Sequence, residues 1–180
     1  MNEPVAIRRA TRADAAALAE FGARCFHDSY AAQNNPADMV AHLARTFSED
    51  IQAREIADPA SSCWLAEADG RVLGYALIQL GAVHARVAGP APCEVKRFYV
   101  DRAWHGRGIA PALMGAARDA ARRAGAGTLW LTAWEHNARA LAFYAKMGFV
   151  DVGTATFVLG DSAQVDRLLR LPLETAAPGA

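Results

Sequence analysis

The stretch between residues 94 and 134 restricts the fold more than any other part of the chain. An extended segment rich in branched and aromatic residues, EVKRFYV, leads into a glycine-rich turn and then into a long segment with apolar residues at helical spacing. A second apolar strand, TLWLTAW, follows this helix. A strand, a helix and a strand in this order form a right-handed crossover, so the two strands are predicted to be parallel neighbours in one sheet.

The sequence before this unit predicts a short strand followed by helices. Thr11 and Asp14 form a capping-box pattern, which favours a helix running to about Tyr30. Asn35 is a suitable N-cap for a second helix, because Pro36 then occupies the first helical position.

Two further features make the predicted sheet mixed. Asp69 and Gly70 separate two apolar segments, which predicts a hairpin of two antiparallel strands. A helix closed by Gly148 precedes two C-terminal strands. Because 180 residues fit one domain, we predict a single α/β domain over residues 1–174 and a flexible tail at residues 175–180.

Charge and cysteine content argue against several classes of protein. The 19 basic and 19 acidic side chains give a formal net charge of zero, so no nucleic-acid partner is predicted. Cys25, Cys63 and Cys93 are far apart in the sequence, which disfavours a disulfide framework and a zinc site. The histidines lack ligand spacing, so no metal is predicted. With no leader pattern and no long apolar run, we expect a cytoplasmic protein that does not bind membranes.

The glycine-rich turn, WHGRG, is a candidate anion-binding site. Gly106 and Gly108 permit a tight bend, and a helix that begins there exposes N–H groups with a partial positive charge of about +0.5. The turn fits neither the phosphate loop G-x-x-x-x-G-K-[ST] nor the dinucleotide pattern G-x-G-x-x-G, because Pro111 stands where the third glycine belongs. From its spacing alone, the turn could equally start a helix without binding anything.

Two motifs resemble those of the GNAT superfamily of N-acetyltransferases. Residues 105–110, HGRGIA, approximate its pyrophosphate loop (Q/R)-x-x-G-x-(G/A), and NARALAFYAKMGF matches its N-x-x-A-x-x-x-Y-x-x-x-G-F segment at every fixed position. FHDSYAAQNNPADMVAHLARTF and TFVLGDSAQVDRLL look like the bacterial spermidine/spermine N-acetyltransferases of the PaiA type. The resemblance implies an acyltransferase that passes an acetyl group from acetyl-CoA directly to a primary amine, for example a polyamine.

The resemblance also implies the GNAT fold. This fold is a single domain with a mixed, mostly antiparallel central sheet flanked by helices, in which a parallel pair of strands is splayed at the acetyl-CoA site. The cofactor diphosphate would lie on the glycine loop and the helix start, at His105, Gly106, Arg107, Gly108, Ile109, Ala110 and Ala112. His105 departs from the usual Gln or Arg, and Pro111 has no N–H to donate.

The rest of the cofactor site follows from the same resemblance. The main chain of Phe98, Tyr99 and Val100 would pair with the pantetheine arm as an added strand does. Asn137 would contact this arm, and Tyr144 would protonate or hydrogen-bond the departing thiolate. Read from the sequence alone, Asn137 could instead be a helix N-cap and Tyr144 a core aromatic residue.

Glu94 is the predicted catalytic base, since the family often places an acid at this point of the strand. Side-chain alternation predicts Glu94, Lys96 and Phe98 on one face, where Lys96 could hold Glu94 ionised. The alternative is an ordinary exposed carboxylate. Cys93 is interpreted as a buried thiol rather than an acyl carrier, so transfer is predicted to be direct.

The resemblance also implies an acceptor pocket walled by the first two helices and the region after the TLWLTAW strand. Aromatic walls and carboxylates there suit a cation, and the candidates are Phe26, Asp28, Tyr30, Trp134 and Glu135. Two alternatives to a small-molecule acetyltransferase stay open: a catalytically silent acyl-CoA-binding or sensor domain, and a protein or peptide N-acetyltransferase. The resemblance also allows a homodimer.

Overall fold

The computed structural model, which describes residues 4–174, contains one seven-stranded sheet. The strands in chain order are β1 (Ala6–Arg9), β2 (Ser61–Ala68), β3 (Arg71–Leu80), β4 (Pro92–Val100), β5 (Thr128–Trp134), β6 (Val150–Leu159) and β7 (Ser162–Pro172). Across the sheet they lie in the order β1-β2-β3-β4-β5-β7-β6. The predicted tail at residues 175–180 falls outside the described residues.

Helices cover both faces of this sheet. In chain order they are α1 (Ala15–Tyr30), α2 (Pro36–Thr46), α3 (Glu49–Ala57), α4 (Ile109–Arg123) and α5 (Ala138–Lys146). None of the helices in residues 4–174 has the length and apolar character that crossing a bilayer requires.

The helix starts confirm the predicted capping residues. The Asn35 side chain accepts a hydrogen bond from the amide of Ala37 at 2.8 Å, and Pro36 occupies the first position of α2. Thr11 and Asp14 form the predicted capping box, although it opens a short 3-10 turn that runs into α1. These caps fix where the chain leaves the sheet.

The hairpin between β2 and β3 turns at the predicted residues. Asp69 and Gly70 both have positive φ, 50° and 69°, as a type I′ turn requires. The turn matches the twist of the two strands and fixes their antiparallel pairing. β3 then pairs antiparallel with β4, which places β4 in the centre of the sheet.

β4 and β5 form a parallel pair that opens at one end, as predicted. Pairing covers three positions, from Pro92 with Thr128 to Glu94 with Trp130. Beyond Glu94 the two strands have no register partners in common, while β5 stays paired with β7 along its whole length. A gap therefore opens in the middle of the sheet, next to the second half of β4.

The two faces of the sheet have separate apolar clusters. The cluster under α4 and α5 contains Ile78, Val95, Met114, Leu129 and Tyr144. The cluster under α1 contains Leu18, Phe21, Leu65, Tyr75 and Leu77. Full burial of a side chain of this size contributes about 1.5–3 kcal/mol, so both clusters hold the sheet between its helices.

A bulge in β4 changes which side chains face which cluster. The register with β3 moves from Leu77 opposite Arg97 to Ile78 opposite Val95, so Lys96 is the extra residue. Phe98 therefore packs on the α4 side with Val95. The predicted strict alternation, with Glu94 and Phe98 on one face, is wrong for this reason.

Candidate active site

The glycine loop reaches α4 through two left-handed glycines. Gly106 has φ of 78° and Gly108, the N-cap of α4, has φ of 82°. A Cβ added at either position would meet nothing within 4 Å. Glycine is therefore needed here for its backbone conformation and not for close packing within the protein.

This conformation leaves several main-chain donors free. In the described part of the chain, the amides of residues 106–110 donate to no other protein group. The amide of Ala112 donates to the Gly108 carbonyl at 3.2 Å, so it is already engaged within the helix, and the predicted place of Ala112 in the cofactor site stays a prediction. The free amides lie at the N-terminal end of a 15-residue helix, which suits an anion.

His105 joins the loop to the end of β4. Its Nε2 lies 3.0 Å from the Val100 carbonyl oxygen, and since a carbonyl can only accept, Nε2 carries the proton. Nδ1 is then the unprotonated nitrogen, and it is buried without a partner. Burial lowers the pKa of His105, which favours this neutral ring.

Arg107 is held close to the same loop. Its guanidinium lies over the ring of Trp104 at 4.8 Å from the centroid, a cation–π contact. The charge therefore stays near the free amides.

The free edge of β4 presents alternate peptide groups to the gap. The amide of Asp101 donates to Leu73 on β3 at 2.8 Å, so residues two apart from it, including Tyr99, also point their peptide groups toward β3. The peptide groups of Phe98 and Val100 point the other way, toward the gap. Main-chain pairing with a ligand is thus open to Phe98 and to the N–H of Val100, whose carbonyl already accepts from His105. Tyr99 packs its ring into the α1 side.

Glu94 lies half-buried where β4 and β5 separate. Burial raises the pKa of its carboxyl group, and the charge of Lys96 opposes this effect. The Lys96 ammonium lies 2.9 Å from Glu55, so it is paired with Glu55 and not with Glu94. The raised pKa brings Glu94 closer to the range in which a carboxylate is an effective base at neutral pH.

Tyr144 packs from α5 against the free edge of β4. Its ring contacts Phe98 with centroids 6.1 Å apart and Phe149 at 5.7 Å, both edge-on. Burial raises the pKa of Tyr144, so its hydroxyl stays protonated and can donate. Asn137 caps α5 by accepting from the amide of Ala140 at 3.1 Å, which is the structural role that the sequence left open for it.

An aromatic group covers the α1 side of the gap. Tyr30 lies edge-on to Trp134 with centroids 5.8 Å apart, and Phe26 packs beneath Tyr30 at 4.6 Å. Phe26 is buried, so it supports this wall without forming its surface. Glu135 lies beside the wall, with its carboxylate 3.8 Å from His136.

Asp28 lies apart from the aromatic group. Its side chain is 57% exposed and contacts His27 at 3.8 Å, and its charge acts on Arg24 and Cys25. The structure therefore does not bring Asp28 together with Trp134 and Glu135.

Sequence analysis missed Asp166, a buried carboxylate on the same face. Asp166 is 8% exposed and pairs in register with Trp134, so both side chains lie on one face of the sheet. Burial and the charge of Glu135 raise its pKa, while a hydrogen bond with Thr132 opposes them. The signal that could have found it is the single acid in QVDRLLRL, a strand segment whose other residues are apolar, basic or neutral.

The gap is open to solvent near this acid. Thr132 is exposed although it lies in the middle of β5, because β4 has already diverged from it. A depression of about 290 Å³ lies at the carboxyl end of β5, lined by residues that include Gln33, Trp134, Glu135 and Gln164. Within residues 4–174, no group of three or more His, Cys, Asp and Glu side chains could hold a metal ion.

Known proteins match most of the chain. The model of the acetyltransferase (GNAT) family matches residues 24–149. An uncharacterised N-acetyltransferase from Lactobacillus delbrueckii subsp. lactis is 34% identical over 148 residues, which cover 82% of this chain and 86% of the relative. The N-alpha-acetyltransferase RimI of Mycobacterium tuberculosis is 35% identical over 152 residues, covering 84% and 82%.

A solved structure has the same fold. The PaiA N-acetyltransferase from Thermoplasma acidophilum, in complex with coenzyme A, superposes with a TM-score of 0.77 at 18% identity, covering 94% of this chain and 99% of that one. The predicted α/β architecture, with its mixed sheet and opened parallel pair, is confirmed by this similarity and by the strand order.

Proposed function

The chain belongs to the acetyltransferase (GNAT) family, and on that premise we propose that it transfers an acetyl group from acetyl-CoA to a primary amine of a small, polyamine-like molecule. The observation that carries this proposal is the arrangement around the gap. Half-buried Glu94 lies where β4 and β5 separate, the edge of β4 beyond it is free, the buried Tyr144 packs against Phe98 on that edge, and the free amides of residues 106–110 follow the end of β4.

The residues beside the gap fit acetyl-CoA. The free loop amides and the Arg107 charge would hold its diphosphate, and the peptide groups of Phe98 and the N–H of Val100 would pair with the amides of its pantetheine arm. When bound, acetyl-CoA supplies the acetyl group as an activated thioester. The proline at position 111 has no N–H, so the first turn of α4 offers one donor fewer than it otherwise would.

Glu94 and Tyr144 divide the proton transfers between them. A free alkylamine has a pKa of about 10.4, so at neutral pH it must lose a proton before it can attack. Glu94 would take this first proton, directly or through water, and the neutral nitrogen would then attack the thioester carbonyl carbon. Tyr144 would give a proton to the sulfur as the carbon–sulfur bond breaks, and would recover one from the second proton that the acetylated nitrogen loses. Cys93 is fully buried and burial raises its pKa to about 12, which supports direct transfer without an acyl-cysteine.

The acceptor face supports a cationic substrate. Tyr30 and Trp134 offer ring faces and edges, and Asp166 and Glu135 offer negative charge. The PaiA N-acetyltransferase from Thermoplasma acidophilum has the same fold, but at 18% identity this similarity does not indicate the substrate.

A direct assay tests the proposed function. The purified full chain is mixed with acetyl-CoA and one acceptor at a time: spermidine, spermine, an arylamine, an aminoglycoside or a peptide with a free N-terminus. Release of free thiol is followed with time. We expect turnover with the polyamines; no turnover above background with any acceptor would support a silent acyl-CoA-binding domain instead.

A protein N-terminal acetyltransferase is the second candidate. It is favoured by the 35% identity to an N-alpha-acetyltransferase. Turnover of the peptide in preference to both polyamines would support this candidate, because the same cofactor site serves either acceptor.

A further inference from the structure

Asp166 is a buried carboxylate that no protein cation neutralises. Across residues 4–174, the ion pairs include none made by Asp166. Its neighbour Arg167 is paired with Asp151 at 2.6 Å, and Arg170 donates to the carbonyl of Ala88. Thr132 is a hydrogen-bond partner of Asp166 but does not neutralise its charge, so a positively charged ligand would stabilise the ionised carboxylate at this site.

The surroundings of Asp166 are those of a binding site. Trp134 lies opposite it across the strands, Tyr30 is close enough for the charge of Asp166 to raise its pKa, and the exposed Thr132 opens the site to solvent. The site thus combines an acid, two aromatic rings and an entrance from the gap. The acid and the two aromatic rings each favour an ammonium group, and the entrance lets one reach them.

Asp166 is too far from Glu94 to bind the same ammonium group. Glu94 on β4 pairs in register with Trp130 on β5, and Trp130 pairs with Arg170 on β7. Asp166 lies four residues before Arg170 in the same strand. Four residues span about 13 Å and two strand spacings about 10 Å, which places the two main-chain positions about 16 Å apart. Both side chains lie on the α1 side, so one extended molecule can contact both.

We infer that Asp166 is a specificity residue that binds a second cationic group of the acceptor, and that the preferred substrate is an elongated aliphatic molecule with at least two ammonium groups. This inference rests on the proposed function. One ammonium group loses a proton near Glu94 and is acetylated, while the other stays charged against Asp166, Tyr30 and Trp134. The cation favours the ionised form of Asp166 and so removes the cost of its burial.

The test compares two acceptors of equal length with wild-type chain and Asp166→Asn. The acceptors are the eight-carbon diamine and the eight-carbon monoamine, which differ in one ammonium group. We expect wild-type kcat/KM to favour the diamine about tenfold or more, and Asp166→Asn to lower kcat/KM for the diamine about ten- to hundredfold, mainly through KM. The monoamine should change less than about twofold, because it has no group to place at Asp166.

Asp161→Asn is the matched control. Asp161 is an exposed acid in the turn of the same hairpin, so its replacement removes the same charge without touching the site. This variant should retain the preference for the diamine. An equal loss with both acceptors in Asp166→Asn, a loss of folding in that variant, or no loss at all would overturn the inference.

Calorimetric binding separates this inference from the proposed function. Each variant is saturated with coenzyme A and titrated with the diamine and then with the monoamine. Diamine binding that depends on Asp166 without any turnover would reject the enzyme and keep the site. Turnover of amines with no difference between wild type and Asp166→Asn would keep the enzyme and reject the site.

Discussion

Two side chains beside the gap both bind their proton more tightly because both are removed from water. Burial raises the pKa of Glu94 and of Tyr144 alike. For the carboxylate this makes a stronger base, and for the phenol it secures a proton that can be donated. In the proposed mechanism, one physical cause would thus suit Glu94 to the role of base and Tyr144 to the role of acid.

Replacing the base tests the first of these roles. Glu94→Gln should lower kcat/KM at neutral pH about a hundredfold or more, because the amine then has no positioned proton acceptor. In the wild type, activity should fall as pH drops through the pKa of Glu94, which lies above the usual value for glutamate. The variant should lose that acidic limb and gain activity toward higher pH, where the free amine predominates.

The pH profile is measured as kcat/KM at saturating acetyl-CoA. Glu20→Gln, at an exposed position of α1, is the control and should leave the profile unchanged. An identical profile in Glu94→Gln would exclude Glu94 as the base.

Removing the Tyr144 hydroxyl should separate chemistry from cofactor binding. Tyr144→Phe keeps the ring contacts with Phe98 and Phe149, so the affinity for coenzyme A should change less than about twofold. The kcat should fall about a hundredfold, because the departing sulfur loses its proton donor. Steady-state kinetics and calorimetry measure the two effects.

Tyr75→Phe provides the control for this prediction. Tyr75 is buried on the α1 side, away from the loop, and losing its hydroxyl should leave kcat unchanged. Unaltered kcat in Tyr144→Phe would remove Tyr144 from the proton path.

Residues within a local motif could be predicted, and residues placed by long-range pairing could not. Gly108 and Tyr144 occupy fixed positions in short motifs, so the sequence points to them directly. Asp166 becomes a site residue only because β7 pairs with β5 and brings it opposite Trp134. That register brings together segments about 30 residues apart, so no local pattern predicts it. Asp28 shows the opposite error: it is near the aromatic residues of α1 in the sequence, but it lies on an exposed side of that helix.

At the scale of elements, the function depends on how α4 begins. Gly108 takes a left-handed conformation, and the turn it makes is what exposes the free amides. The bulge at Lys96 likewise has no sequence signal, because the extra residue appears only against the register of β3. The spacing of apolar residues therefore predicts the helices and strands well, whereas the bulge in β4 is set by its pairing with β3.

A pair of glycine substitutions in and after this turn tests its role. Gly108→Ala places a Cβ on a left-handed residue at a cost of about 1–2 kcal/mol, and relief of this strain should displace the amides. The dissociation constant for coenzyme A should rise about five- to thirtyfold. Gly115→Ala lies within α4, where a Cβ meets nothing within 4 Å, and should stabilise the protein by about 0.5–1 kcal/mol with unchanged affinity.

Calorimetry gives the affinities of both variants, and thermal melts give their stabilities. For a chain of this size 1 kcal/mol corresponds to about 2–4 °C in Tm. Equal affinity in wild type and Gly108→Ala would show that the turn does not hold the diphosphate.

At the scale of the whole molecule, a charged cluster ties the first strand to the rest of the fold. Arg8 contacts Asp14 and Glu67, each at 2.8 Å, and so links β1 to the start of α1 and to β2. Its hydrogen bonds hold the pKa of both carboxyl groups below their usual values. Because these folded-state values are depressed, the stabilisation is present above the unfolded pKa and is lost as pH falls.

The pH dependence of stability should therefore change when Arg8 is replaced. Arg8→Gln should lower Tm at neutral pH, and this decrease should become smaller only as the pH falls through the depressed folded-state pKa values of Asp14 and Glu67, below the range of ordinary carboxyl groups. Thermal melts from neutral pH downward measure the difference. Arg12→Gln, at an exposed position nearby, should change Tm little at every pH. The same behaviour in Arg8→Gln would contradict the stabilising role of the Arg8 ion pairs.

The opened seam between β4 and β5 has a mechanical consequence. β1–β4 form one half of the sheet and β5–β7 the other. Three paired positions between β4 and β5, below the gap, join the two halves. A ligand lying along the open edge supplies hydrogen bonds that a missing strand would have made. Acetyl-CoA bound along this edge would join the two halves of the sheet as a connecting strand does, and we expect the sheet to be stiffer with the cofactor bound than after coenzyme A leaves.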